Sequence, residues 1–249
     1  MVSLRSFLRA VSPHPRPLPT RGRGADARPG PTPSPLVGEG RGGGAAAPRV
    51  PAQPTRRSSL HLHLRHGRHG ADKPGGPGVV FSLRHPVSIV TVIARKGQGP
   101  GLSAAMDKHF GLACPPPGHS TANGALALHW CGFEQYYAVA DGFADGALYG
   151  ELRESLLGLA SVSDQSHGRV IFCIEGPRAR DVLAKGTPVD LHPRAFGPGR
   201  SAVTQMAHVG VHIAQIGPDD FELSVFRGFA ESFWEWLVEM SGEFGYEVR

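Results

Sequence analysis

The stretch Ser163–Leu183 reads S-D-Q-S-H-G-R-V-I-F-C-I-E-G-P-R-A-R-D-V-L. Asp164, Ser166 and His167 form a polar knuckle, and Gly168 is expected to reverse the chain there with a positive φ, which glycine alone adopts freely. Val170–Ile174 is β-branched and aromatic between glycines, the pattern of a strand. Gly176-Pro177 then opens a helix, with Pro177 at the first helical position, where a missing N–H costs nothing. Val182 and Leu183 supply that helix's apolar side, and Gly186 stops it.

Working outward, Val79–Ala94 is a dense β-branched run that predicts one buried strand, and Leu102–Phe110 reads as a helix. Cys114–Gly124 is a loop. Ala125–Trp130 and Gln135–Ala140 read as an antiparallel pair. Asp145–Leu159 is a helix with Leu148, Leu152, Leu156 and Leu159 on one stripe, and Ser161–Asp164 is a short strand. The order is β-α-β-β-α-β, the split-βαβ, ferredoxin-like arrangement. Beyond the Pro177 helix and a loop over Thr187–Arg200, strands are expected at Ser201–Ala207, Val209–Ile216 and Phe221–Phe226. An amphipathic helix closes the chain over Phe229–Phe244. The expected class is α+β, with two such halves, 79–166 and 167–249, sharing a core.

Composition divides the 249-residue chain at about residue 80. Residues 1–80 hold 13 of the 23 Pro, 13 of the 34 Gly, a single aromatic residue, Phe7, and a net charge of +10. The remainder carries −5, so the basic pI belongs to the tail and not to the folded part. Residues 1–78 are therefore read as a disordered basic tail, unable to bury enough apolar surface to offset its ordering entropy. Its P-S-P-L-V-G-E-G-R-G text resembles translated intergenic repeats of bacteria and suggests a start assigned too far upstream. A basic arm for nucleic acid is the competing reading. His61, His63, His66 and His69 cluster in the tail, but without a fixed second shell they would hold metal only adventitiously. Three scattered cysteines, Cys114, Cys131 and Cys173, argue for a reducing, cytoplasmic setting and against a disulfide framework.

Candidate chemistry is sparse. Gly97, Gly99 and Gly101 lie between a strand and a helix, yet their spacing matches neither nucleotide fingerprint, and Pro100 removes a donor. Asp164 and Ser166 are better suited to bonding local backbone N–H groups than to nucleophilic catalysis. Cys131 and Cys173 lie in apolar strands, where thiols are inert. His208 and His212 share no helical face, which argues against metal ligation. Glu231, Glu235, Glu239 and Glu243 make an acidic helix face, read as solvated. Tyr136, Tyr137, Phe229, Trp234 and Trp236 are candidate anchors of a partner interface, because aromatics dominate binding hot spots.

The S-D-Q-S knuckle followed by G-P-R-A-R-D-V-L resembles the D-x-S…G-P-x-A-x-x-x-L signature of the aminomethyltransferase (glycine cleavage T-protein) superfamily. Within it, S-D-Q-S-H-G-R-V, K-G-T-P-V-D-L-H-P-R-A-F, A-H-V-G-V and S-F-W-E-W-L together are similar to the γ subunit family of bacterial heterotetrameric sarcosine oxidase. In this resemblance Asp164, Ser166, Gly168, Gly176 and Pro177 are the structural motif. It implies an accessory subunit of an assembly that oxidises sarcosine with oxygen to glycine and hydrogen peroxide, forming methylenetetrahydrofolate when tetrahydrofolate is present. It implies FAD, FMN, NAD, tetrahydrofolate and zinc on other subunits, a large α subunit as chief partner, and β and δ beside it. It implies no catalytic, cofactor or metal residue on this chain and neither nucleic acid nor membrane as a partner. The aminomethyltransferases carry an acidic pair at a strand start; the expected counterparts here are Val209 and Gly210, which cannot accept a proton. A stand-alone folate-binding or aminomethyl-transferring protein is the alternative the same resemblance leaves open.

Overall fold

The computed structural model describes residues 56–249. Two sheets carry the architecture. The seven-stranded sheet runs β1 (Gly67–His69), β12 (Tyr246–Val248), β2 (Val79–Leu83), β8 (Arg169–Glu175), β11 (Asp220–Phe226), β10 (Val209–Gly217), β9 (Ser201–Met206). The five-stranded sheet runs β4 (Ser120–Ala122), β5 (Leu126–Gly132), β6 (Gln135–Asp141), β3 (Val87–Ala94), β7 (Ala160–Asp164). Every pairing is antiparallel except β12 with β2.

Strand periodicity sorts the side chains onto two faces. Even-numbered positions of β3 and β6, Val90, Val92, Ala138 and Ala140, pack with α1 (Gly99–Phe110) and α2 (Ala147–Ser155). Leu102, Met106 and Phe110 of α1 and Leu148, Leu152 and the following Leu156 recur at helical spacing in that same cluster. In the other sheet Phe172, Ile174, Phe221, Leu223, Val211 and Ile213 pack with α3 (Ala179–Ala184) and α4 (Ala230–Ser241) through Val182, Leu183, Phe233 and Leu237. The odd-numbered Val87, Ile89, Val139 and Ile171 meet between the sheets as a third, smaller cluster. The layers are thus helix, sheet, sheet, helix.

Several expectations need correction. The Val79–Ala94 run is two strands, not one: β2 joins the seven-stranded sheet and β3 the five-stranded sheet, with His85-Pro86 between them. Proline has no N–H for a ladder, so the run breaks there. The halves therefore interleave in sequence, because β2 lies beside β8 and belongs with the strands after residue 167. Residues 56–78, grouped by composition with the tail, contribute β1 and a fully buried Leu60. Burying one leucine stabilises by about 1.5–3 kcal/mol. Residues 1–55, with the low-complexity text, lie outside the described residues. Strand β4 falls in a segment read as loop, and β12 lies beyond the expected end of the last helix at Phe244. Helix α1 begins at Gly99, so Gly99, Pro100 and Gly101 form its first turn and not a loop.

Two details of the opening stretch also differ. Gly168 does not adopt a positive φ; the turn closes by Gly168 N–H donating to Gln165 O at 2.9 Å. Helix α3 starts at Ala179, so Pro177 precedes the helix within a turn instead of heading it. Gly176 is the glycine with a steric requirement: its φ is 121°, and a Cβ there would lie 2.7 Å from Gly78 O.

Candidate functional site

The polar chemistry of the chain collects between the two sheets. His129 on β5 and His212 on β10 project from opposite sheets and meet edge-on, with ring centroids 5.4 Å apart. Both are buried. His212 Nε2 donates to Trp130 O at 3.2 Å, and His129 Nδ1 pairs with Ser120 Oγ at 2.8 Å. Burial lowers the pKa of His129 to about 4, with Arg84 adding to the effect. Burial lowers His212 to about 3, helped by His129. Both imidazoles are therefore neutral near pH 7.

Arg84, in the β2–β3 connection, ties the sheets together. Its Nη1 donates to Glu222 Oε1 on β11 at 2.9 Å, and its Nη2 to Asp141 Oδ2 on β6 at 2.8 Å. Burial works against the guanidinium, but Asp141 and Glu222 more than offset it and the pKa is raised. Burial pushes the Glu222 carboxyl up, while Arg84 pulls it back. Arg169 makes the other cross-layer tie: its Nη2 donates to Tyr137 Oη at 2.7 Å, and its guanidinium lies over the Tyr137 and Phe226 rings. An open cleft of about 440 Å³ leads to this layer, walled by Leu126, Ala127, His129, Gln215, Ile216 and the Arg84 triad.

The knuckle at 164–168 lies at the edge of this layer. Asp164 Oδ1 accepts from Ser166 N–H at 2.8 Å and from Ser166 Oγ at 2.6 Å. Ser166 Oγ in turn accepts from Ile89 N–H at 3.1 Å, and Gln165 N–H donates to Ile89 O at 2.8 Å. His167 faces outward to Asp145, with Nε2 to Oδ2 at 2.9 Å. Asp164 and Ser166 are thus spent on backbone groups, and Gly176 and Pro177 lie at the far end of β8 from them.

Of the five candidate anchors, only Phe229 is an exposed large apolar side chain. Trp234 is buried against Phe81 and Phe172, which corrects its reading as a surface anchor: it falls on the core stripe of α4. Tyr137 is taken up by Arg169, and Tyr136 packs with the α1–α2 cluster. Trp236 is part-buried, stacks on Phe233 and covers Gly186. Val209 and Gly210 begin β10, Val209 half-buried and Gly210 exposed, and the groove beside Val209 is lined by Lys185, Gln205, His208 and Trp236. The carboxylates at a cleft are instead Asp141 and Glu222. Sequence reasoning missed Arg84, Glu222, His129 and Arg169; the inward-facing polar residues on otherwise apolar strands were the available signal. Burial raises the thiols of Cys114, Cys131 and Cys173 to about 11, 12 and 12. Among the described residues no group of three metal-ligating side chains converges, and no helix is long and apolar enough to cross a membrane.

The model of the sarcosine oxidase, gamma subunit family matches residues 95–243. The chain belongs to that family. The sarcosine oxidase subunit gamma of an Arthrobacter species is 32% identical over 165 residues, covering 65% of this chain and 80% of its own. The subunit gamma of Corynebacterium sp. strain P-1 is 30% identical over 180 residues, covering 70% and 86%. Among solved structures, a chain of the heterotetrameric sarcosine oxidase from Corynebacterium sp. U-96, in complex with pyrrole 2-carboxylate, superposes with a TM-score of 0.65 at 27% identity, over 76% of this chain and 96% of that one. The glycine cleavage system aminomethyltransferase T from Bartonella henselae shares the fold, with a TM-score of 0.52 at 20% identity over 70% of this chain and 48% of that one. The mixed α/β fold is therefore that of the gamma subunit family and of the aminomethyltransferases.

Proposed function

We propose that the chain is the γ subunit of a cytoplasmic heterotetrameric sarcosine oxidase and acts in it as a brace without catalytic residues of its own. The observation that carries this reading is the agreement with nearly the whole of one chain of a heterotetrameric sarcosine oxidase. The assembly would oxidise sarcosine with oxygen to glycine and hydrogen peroxide and pass the one-carbon unit to tetrahydrofolate. FAD, FMN, NAD, tetrahydrofolate and zinc would sit on other subunits. The α subunit would be the chief partner, with β and δ completing the complex.

The chemistry of the inter-sheet layer favours the accessory role. A general base works best with a pKa near the operating pH. Here the histidines lie far below it, the thiols far above it, and both cleft carboxylates are committed to Arg84. Asp164, Ser166, Gly168, Gly176 and Pro177 would then be structural. Of the aromatic anchors, Phe229, which is exposed, and Trp236, which is part-buried, would be the ones to meet a partner. The two halves fit the ferredoxin-like plan: β7-β3-β6-β5 is the strand order of a split βαβ unit. In the second half β2-β8-β11-β10 repeats it, with β2 taking the place of a last strand.

Co-expression with the three other subunits tests the proposal. A tagged chain is expected to draw down a flavin-coloured complex that oxidises sarcosine, and omitting the chain should leave the complex incomplete. Sarcosine turnover by the isolated chain, or full assembly in its absence, would overturn it.

A further inference from the structure

One face of the molecule sets an exposed arginine between exposed aromatics. β11 ends at Phe226 and Arg227-Gly228-Phe229 connects it to α4; all four residues are exposed. Phe226 and Phe229 keep 49% and 52% of their surface in solvent. Phe226 is not loose: the Arg169 guanidinium lies 4.2 Å from its ring centroid, and Arg169 is itself held by Tyr137 and Ser224. Arg227 N–H donates to Gly168 O at 2.9 Å, which brings this connection against the 164–168 knuckle. Arg56 reaches the same knuckle, with Nη2 donating to Val87 O at 3.1 Å and Ser166 O at 3.3 Å. His167 and exposed His85 complete the group. The pKa of His85 is lowered by burial and then by Arg56, Arg227 and His167, which records their proximity.

The local excess of charge is not a property of the whole domain. Residues 56–249 hold 18 Lys+Arg and 19 Asp+Glu, close to balance. The carboxylates around the face are Asp145, which pairs with His167 and Arg56, Asp164, which is taken up by Ser166, and Glu231, two residues beyond Phe229, whose Oε1 lies 3.3 Å from His63 Nδ1. That leaves Arg227 as an exposed cation between two exposed phenylalanines. Aromatics and arginine are the residue types enriched at the energetic centres of interfaces. A rigid ring costs little further entropy when it is covered.

We propose that the face built by Phe226, Arg227 and Phe229, with Arg56, His85 and His167 around it, docks an acidic, apolar-centred surface of a partner subunit. This rests on the reading of the chain as one subunit of a larger oxidase. Charge complementarity selects the occupant: the exposed Arg227 between two phenylalanines steers an acidic surface and disfavours a second copy of the same face.

The test uses the full-length tagged chain co-expressed with the other subunits, as wild type, Arg227→Glu, and Phe226→Ala with Phe229→Ala. The readouts are flavin retained per chain at 0.05 and 0.5 M NaCl, and the thermal midpoint of each isolated chain. Wild type is expected to retain flavin, less so at high salt. Arg227→Glu should weaken retention roughly tenfold or more, the scale of a central anchor, with an unchanged midpoint and little remaining salt dependence. The double alanine variant should lose retention at both salt concentrations. Variants that retain flavin like wild type would overturn the docking face while leaving the subunit reading intact. A wild-type chain that retains no flavin would remove both. A wild-type chain that dimerises in sedimentation, and becomes monomeric with Arg227→Glu, would assign the face to self-association and overturn the proposal.

Discussion

Ala207 and His208 carry φ values of 51° and 65° in the two-residue loop that joins β9 to β10, where Met206 pairs with Val209. A loop of this length follows the twist of its strands only when both residues are left-handed, which normally calls for Asn or Gly. For an L-residue with a Cβ that conformation costs about 1–2 kcal/mol. Ala207→Gly is therefore expected to raise stability by about 0.5–1 kcal/mol after its extra unfolded-state entropy is subtracted. Urea unfolding would read this as a higher midpoint at constant slope. Gly186 is the opposite case. A Cβ there would run into the Trp236 ring, so Gly186→Ala should cost about 1–3 kcal/mol by overpacking. An unchanged midpoint would mean the indole can step aside. Neither glycine chemistry nor strain at these positions was legible in the sequence, because both depend on which strand or ring lies opposite.

At the scale of elements, the layer between the sheets sets the acid limit of the fold. His129 and His212 have folded pKa values of about 4 and about 3, against 6.5 unfolded. Below pH 6.5 the unfolded chain takes up protons that the folded chain refuses. The stability these groups contribute is complete above pH 6.5 and is lost as pH falls from there toward 4 and 3. Each histidine adds up to about 1.4 kcal/mol per pH unit in that window. Denaturant midpoints measured from pH 7 to pH 4.5 should therefore fall for wild type. In a His212→Gln variant the fall should be shallower; an identical slope would sink this account. Arg84 binds the same layer through β6 and β11. Arg84→Met would leave Glu222 largely buried without its partner, a change worth about 1–3 kcal/mol for a pair between the exposed and buried limits. Adding Glu222→Gln should recover part of that loss. Period-2 patterning marked these strands correctly. It did not say which inward polar residues would face each other, because the pairing of β5 with the far sheet joins residues some 80 positions apart, as His129 and His212 are.

For the molecule as a whole, the order of elements does not match the order of units. β2 leaves the neighbourhood of β3 to close the other sheet, and β1 and Leu60 come with it. A chain beginning at Arg56 is accordingly expected to unfold several degrees higher than one beginning at Val79, since the shorter chain loses Leu60 from the core and the Arg56 bonds to Val87 and Ser166. Equal midpoints would return residues 56–78 to the tail. The composition shift near residue 80 pointed to the wrong place because a single strand and one buried leucine are too few to alter the local average.

Sequence by itself determined the alternation of strands and helices, the apolar stripes of α2 and α4, and the family, since local periodicity and short motifs are written in neighbouring residues. Only the tertiary structure decided that β2 and β3 part company, that Trp234 is core while Phe226 is surface, and that Arg84, Glu222, His129 and His212 share one layer between the sheets. Those outcomes depend on contacts between distant segments, where burial and desolvation act on the assembled sheets and leave no local pattern to read.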